Sequence, residues 1–169
     1  FNCTDGVFVD GESVDTGDYS GPLGARLVLR DARVEAAAIE TARGGILRRG
    51  IAVNRVRAAI VTNVSSDHFG EYGIHDLGGL AAAKLSVAGA VAPGGTLVLN
   101  ADDRLLRSRA AGLAQRYGRA PRIAWFALDA GGEVLVAERA AGGATCGVHD
   151  GRLLLHADGV DHDLGAVAS

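Results

Sequence analysis

Ala58-Ala-Ile-Val-Thr-Asn63, Leu77-Gly-Gly-Leu-Ala-Ala-Ala-Lys84 running on to Val91, and Thr96-Leu-Val-Leu-Asn100 are the stretches on which the fold turns. The outer two are short apolar runs that end in polar residues. The middle one has helical spacing, with Asp76 placed as its cap. Strand, helix, strand in that order predicts a parallel pair joined by a crossover helix. Working outward, Leu105–Tyr117 predicts another helix and Ile123–Leu128 a further strand. On the other side, Val34–Ile39 is a compact apolar run that reads as a buried parallel strand ending at Glu40. Gly44 and Gly45 break it, and Ile46–Ile51 reads as helix. The class is therefore α/β: a mostly parallel sheet flanked by helices.

The two ends of the chain read differently. Gly6–Val14 alternates around Asp10-Gly11, a type I′ hairpin signal. Ser20-Gly-Pro22 offers an N-cap and a proline for a first helical turn, in a helix that runs to about Asp31. From Glu133 onward, short alternating runs are split by Gly142-Gly143, Asp150-Gly151 and Asp158-Gly159. They predict a small antiparallel β meander without helices.

With 48% apolar and 22% charged residues over 169 positions, the composition is that of one ordinary globular domain. Seventeen basic against twenty acidic side chains leave a net charge of −3, which argues against nucleic acid or a membrane surface as partner. No apolar run approaches the ~20 residues of a membrane helix. Cys3 and Cys146 form no metal-type cluster and read as free thiols of a cytoplasmic protein. There is no methionine, so Phe1 is not a native start and the chain reads as a piece of a longer protein. Lys84 is the one lysine among the seventeen basic residues. Wherever charge alone suffices this sequence uses arginine, and one position keeps the amine.

Ligands of open α/β sheets lie beyond the carboxyl ends of the strands. Those ends carry Glu40-Thr41-Ala42-Arg43-Gly44-Gly45, Thr62-Asn63-Val64-Ser65-Ser66-Asp67-His68 and Asn100-Ala101-Asp102-Asp103. Glu40 is either an acceptor for the amides of 43–45 or a ligand for a hard cation. His68 is either a loop histidine or a ligand. Asp67-His68 permits a zinc reading, but no His or Cys partner stands at ligand spacing. His75, His149, His156 and His162 read as surface or hairpin residues.

Glu40-Thr-Ala-Arg-Gly-Gly-Ile-Leu-Arg-Arg-Gly50, Thr62-Asn-Val-Ser-Ser-Asp-His68, Gly70-Glu-Tyr-Gly-Ile74, Lys84 and Leu99-Asn-Ala-Asp-Asp103 together resemble the central domain of Mur-type ligases. Within that superfamily they are most similar to the arginine-adding half of the cyanophycin synthetase family. Thr4-Asp-Gly6 and Gly17-Asp-Tyr-Ser-Gly-Pro22 through Ala25-Arg26 share the likeness. It covers most of the chain up to Asp103, and the β-rich tail fits the small sheet of such domains.

The resemblance implies a P-loop-NTPase-like central domain spanning 1–169, and an ATP-dependent amide ligation through an acyl phosphate, with arginine added to aspartate side chains. ATP and Mg²⁺ are the implied cofactors, and an amino acid and a cyanophycin-like polypeptide the implied substrates; a homo-oligomer is compatible with it. By position, Glu40 and His68 would hold Mg²⁺ on neighbouring strands, and Lys84 would be the lysine that many such ligases carbamylate. Those three would be the catalytic set. Asn63, Asn100, Asp102 and Asp103 would face the nucleotide, and Ser20, Arg26, Thr41 and Arg43 the polymer. The family's phosphate loop, Gly-x-x-Gly-Lys-Thr/Ser, is expected upstream of residue 1, and its third domain downstream of Ser169. The 169 residues alone are expected to be an inactive core. The alternatives are another Mur-type ligase, of peptidoglycan-precursor or folylpolyglutamate type, and a non-catalytic binding or assembly domain on the same fold.

Overall fold

The computed structural model of the protein describes residues 1–65, 70–119 and 121–167, and the Glu71 side chain is set aside. The chain divides into two compact units, Phe1–Asn54 with His68–Gly79, and Arg55–Asp67 with Leu80–Ser169.

The first unit begins with a three-stranded antiparallel sheet of β1 (Asn2–Cys3), β2 (Gly6–Val9) and β3 (Glu12–Thr16). The expected hairpin is there. Asp10 and Gly11 have φ of 51° and 82°, the left-handed pair a type I′ turn requires. Helix α1 (Pro22–Arg30) buries Pro22, Gly24, Ala25 and Val28, and Val7 and Val9 of β2 are buried with them. Its N-cap is Gly21, not Ser20. The Ser20 hydroxyl donates instead to Asp18 Oδ1 at 2.6 Å, in the Asx-type local pattern that competes with capping. Helix α2 (Arg43–Arg49) starts earlier than Ile46 and buries none of its residues.

The expected buried strand at 34–39 does not form. Residues 35–38 are exposed, and the segment touches a sheet only through one parallel bridge between Ile39 and Asn2. A strand needs a neighbour along its whole ladder, and apolar content cannot supply one.

The second unit is a six-stranded sheet in sequential order: β4 (Val56–Val61), β5 (Val91–Asn100), β6 (Arg122–Asp129), β7 (Thr145–His149), β8 (Arg152–Ala157) and β9 (Val160–Ala166). Strands β4 to β7 are parallel, and β7, β8 and β9 are antiparallel. The mostly parallel α/β class and the antiparallel end both stand. Two corrections apply. Residues 133–140 form helix α6 (Glu133–Ala140), the crossover that lets β7 join β6 in parallel. The apolar run Val134-Leu-Val136 resembles a strand, but Gly132 before it and Gly142 after it bracket nine residues free of Gly and Pro. Strand β4, whose apolar run Ala58–Val61 reads from sequence as a buried strand, is not fully buried, since it stands at the sheet's edge and Ile60 is 57% exposed.

Helix α3 (Leu77–Lys84) carries the predicted cap, with Gly79 N donating to Asp76 Oδ1 at 2.7 Å, and tightens into a 3₁₀ turn over Leu85–Ala90. The helix expected over 105–117 is two, α4 (Arg104–Ala110) and α5 (Leu113–Tyr117), separated at Ala111-Gly112. Leu97 and Leu99 of β5, Leu106 of α4 and Leu135 of α6 are fully buried with Val61, Val91 and Trp125 in one core. Each such leucine contributes about 1.5–3 kcal/mol by leaving water. That core holds the carboxyl ends of β4, β5 and β6 in register. Cys3 and Cys146 are free, and burial pushes the Cys146 thiol up.

Candidate active site

In the second unit, the strand ends at Val61, Asn100 and Asp129 form a rim whose side chains bond to one another's loops. Asn100 Nδ2 donates to Thr62 O at 2.8 Å, and its Oδ1 accepts from Asp102 N at 2.8 Å. Asp102 Oδ2 accepts from Leu128 N at 2.9 Å, which links β5's exit to β6. Asp103 works in two directions. Its Oδ1 caps α4 by accepting from Leu105 N and Leu106 N at 2.9 and 3.1 Å, and its Oδ2 accepts from Val64 N at 2.6 Å. Lys84, at the end of α3, reaches the same loop, with Nζ donating to Asn63 O at 2.9 Å and to Asn63 Oδ1 at 3.4 Å.

Five of the sequence-derived candidates thus meet here: Asn63, Lys84, Asn100, Asp102 and Asp103. The chemistry of the set is specific. An amine sits half-buried on a carbonyl, and two carboxylates hold the backbone around it. Thr62 and Val64 belong to the arrangement through their main chains, which no side-chain pattern reveals. Asp103 as a helix cap was legible from its place directly before Arg104-Leu-Leu106.

The first unit holds the remaining described candidates in a different way. The Asn2 side chain is 2% exposed, and its Nδ2 donates to Tyr19 O at 2.6 Å and Glu40 O at 3.0 Å. Ala42 N donates to Ser20 O at 2.7 Å, and Tyr19 N to Cys3 O at 3.1 Å. Ser20, Glu40 and Thr41 are therefore brought to one knot of backbone. Two hydrogen bonds from Ser20 draw the Asp18 carboxyl below its ordinary pKa. Arg26 is exposed on α1, and no hydrogen bond or ion pair ties it to that knot. Arg43 opens α2, and Arg48 lies over the Tyr72 ring at 5.5 Å. Asn2 and Asp18 were missed from sequence, because nothing in a short N-terminal strand announces a buried carboxamide.

The capping role considered for Glu40 does not occur. The N-cap of α2 is Ala42, with no side-chain cap bond. The Glu40 carboxylate is exposed and bonds to no described residue, which leaves a hard oxygen donor of the kind Mg²⁺ takes. His68 lies outside the described residues, and so does its expected approach to Glu40. Among the described residues no three His, Cys, Asp or Glu side chains gather as a metal site. These residues alone do not make a Mg²⁺ centre.

Residues 6–129 match the model of the Mur ligase middle domain. The chain belongs to that family. A cyanophycin synthetase of Nostoc sp. (strain PCC 7120) is 37% identical over 153 residues, covering 90% of this chain and 16% of that protein. A cyanophycin synthetase of Synechocystis sp. (strain PCC 6803) is 42% identical over 110 residues, covering 65% of the chain and 13% of that protein. A UDP-N-acetylmuramoylalanine–D-glutamate ligase of Chlorobium luteolum is 46% identical over 55 residues, 32% of the chain and 12% of that protein. The chain therefore spans less than a fifth of the length of these relatives. The Mur ligase middle domain assignment agrees with the parallel sheet and places the Asn63–Lys84–Asp103 rim inside the matched region. Among the described residues no helix is long and apolar enough to cross a membrane.

Proposed function

We propose that this Mur ligase middle domain serves an ATP-dependent ligase of the cyanophycin synthetase kind, which joins arginine to aspartate side chains through an acyl phosphate. The observation that carries the reading is the likeness to cyanophycin synthetases over 90% of the chain, at 37% identity. The match to the D-glutamate ligase covers only 55 residues, so the peptidoglycan-type reading ranks behind it.

In this reaction ATP phosphorylates a carboxylate, an amine attacks the acyl phosphate, and the tetrahedral product expels phosphate. Mg²⁺ supplies charge neutralisation on the phosphates. Glu40 and His68 are its proposed ligands. This chain's own part is to bind and orient. Asn63, Asn100, Asp102 and Asp103 keep the nucleotide side of the rim fixed, so that no reorganisation is needed as charge develops. Ser20, Arg26, Thr41 and Arg43 are the proposed polymer side, where guanidinium groups suit carboxylates. Lys84 is the proposed functional amine. A lysine can lose its proton and add CO₂ to become an oxygen donor, whereas a guanidinium stays protonated.

The test uses the full-length protein. ADP release that depends on both arginine and an aspartate-bearing primer supports the reading. Release driven by D-glutamate and a UDP-linked acceptor overturns the substrate assignment, and no release with any amine points to a binding domain. Lys84→Arg is expected to lower kcat by at least a hundredfold. A near-normal arginine variant returns Lys84 to a structural role on Asn63.

A further inference from the structure

Asn2 joins three pieces of the first unit that are far apart in sequence. Its carboxamide donates both protons to main-chain carbonyls, of Tyr19 at 2.6 Å and of Glu40 at 3.0 Å, and its own backbone bridges Ile39. The orientation of the amide is fixed by its partners. Both are acceptors, so Nδ2 and not Oδ1 must face them. Oδ1 is left buried with no hydrogen-bond partner.

That orphan matters. A buried acceptor left unpaired costs about as much as one or two new hydrogen bonds return, so the carboxamide adds little net stability. An apolar side chain in this 2%-exposed site beside α1 would remove that orphan but leave the Tyr19 and Glu40 carbonyls without their donor. A Cβ at Gly24 would lie only 2.9 Å from Asn2 Cβ, so the helix packs directly on the residue. What Asn2 supplies is position. It fixes where the Tyr19–Ser20 and Glu40–Ala42 backbones stand relative to each other, and Ala42 N to Ser20 O closes the same knot.

We propose that Asn2 is a positioning residue for the carboxylate-bearing substrate: it acts through Ser20, Glu40 and Thr41 and does not touch the substrate itself. This rests on the reading above that places those three residues at the substrate and metal.

The experiment uses the full-length protein with Asn2→Asp, Asn2→Ala, Glu40→Ala and Val28→Ala. Val28 is a fully buried residue of α1, so its truncation loosens the same unit without touching the knot. An oligo-aspartate peptide is the binding probe, by calorimetry without turnover, alongside KM and kcat. Asn2→Asp places an oxygen against two carbonyls and is expected to raise peptide Kd and KM about tenfold, a loss of about 1.4 kcal/mol of binding. It is expected to recover partly at acid pH, where the protonated acid regains one donor. Asn2→Ala should raise both without that pH dependence. Val28→Ala should lower the melting temperature and leave Kd unchanged.

Unchanged Kd in both Asn2 variants overturns the proposal, and so does an equal rise in Val28→Ala or an Asn2 pair that does not fold. Peptide binding by the unaltered protein together with a silent Glu40→Ala overturns the assignment of Glu40 and leaves the Asn2 result to be read on Ser20 and Thr41. No binding by the unaltered protein overturns the reading and the proposal with it.

Discussion

The second unit sets its candidate residues on strand ends and a helix end around one core, in which Leu97 and Leu99 of β5, Leu106 of α4 and Leu135 of α6 are fully buried. The first unit sets its own on a helix that buries nothing, α2, and on backbone tied by one carboxamide. The rim around Asn63 and Lys84 inherits its geometry from packing, which is spread over many contacts and tolerates the loss of any single hydrogen bond. The knot around Ser20 and Glu40 inherits its geometry from few, directional bonds. Removing one of those moves a site residue directly.

The contrast can be broken most forcefully at the core. Leu99→Ala is expected to cost about 2–5 kcal/mol, from lost transfer energy plus a cavity. Urea denaturation checks it, and a loss under about 1 kcal/mol would mean that packing does not set the rim. Truncating Val7, equally buried in the first unit, should cost less, since fewer atoms leave.

Close approach gives the next effect. A Cβ at Gly24 would lie on the Tyr19 carbonyl oxygen, and one at Gly147 would sit 2.7 Å from Ala130 Cα. Backbone cannot give way as a side-chain tip can, so Gly24→Ala and Gly147→Ala should each cost about 1–3 kcal/mol. Amide exchange should localise each loss to its own unit. A Gly24→Ala variant as stable as the parent would show that the first unit is looser than its hydrogen bonds imply.

Asp103→Asn is a finer probe of the rim. An amide offers one oxygen, so either the α4 cap or the Val64 bond survives and the other is lost. The expected cost is about 1–2 kcal/mol, with faster exchange at Val64 or at Leu105 and Leu106. Faster exchange at neither would free Asp103 from its structural role.

The smallest effect is in acid. The Arg33 guanidinium beside Asp31 draws its carboxyl from 3.8 to about 2, and Arg152 likewise lowers Asp163. A folded pKa below the unfolded one stabilises above the unfolded value, and that stability is lost as pH falls through the folded one. Between about pH 4 and pH 2, Asp31→Asn in the first unit should flatten the fall of stability slightly, and Asp163→Asn in the second should do so below about pH 4. Both pairs lie at the surface within reach of solvent, so the change is expected to be small in either unit. A large change at one alone would reveal an ion pair that solvent does not screen.

Much of the fold and half of the site are readable as sequence. Asp10-Gly11 demands left-handed backbone whatever surrounds it, and Thr96–Asn100 and Ile123–Leu128 are strands because β-branched and large apolar residues cluster there without helical spacing. The meeting of Asn63, Lys84 and Asn100-Ala-Asp-Asp103 follows from parallel strands delivering their ends to one side. Val34–Ile39 shows the limit. Its composition suits a strand, but a strand exists only where a partner completes its ladder, and composition does not name partners. Glu133–Ala140 shows another, since eight residues can satisfy both periods and only the parallel pairing of β6 with β7 requires a helix between them.

The sequence by itself determined the class, most of the parallel strands and crossover helices that build it, and the rim to which they carry polar residues, because local propensity and the chirality of parallel connections leave few other arrangements. Tertiary structure alone decided that Asp103 serves cap and loop at once, that the Glu40 carboxylate bonds to none of the described residues, and that a carboxamide at position 2 is buried against α1. Those outcomes depend on distances between residues far apart in the chain, which are set when the units pack and are written in no single segment.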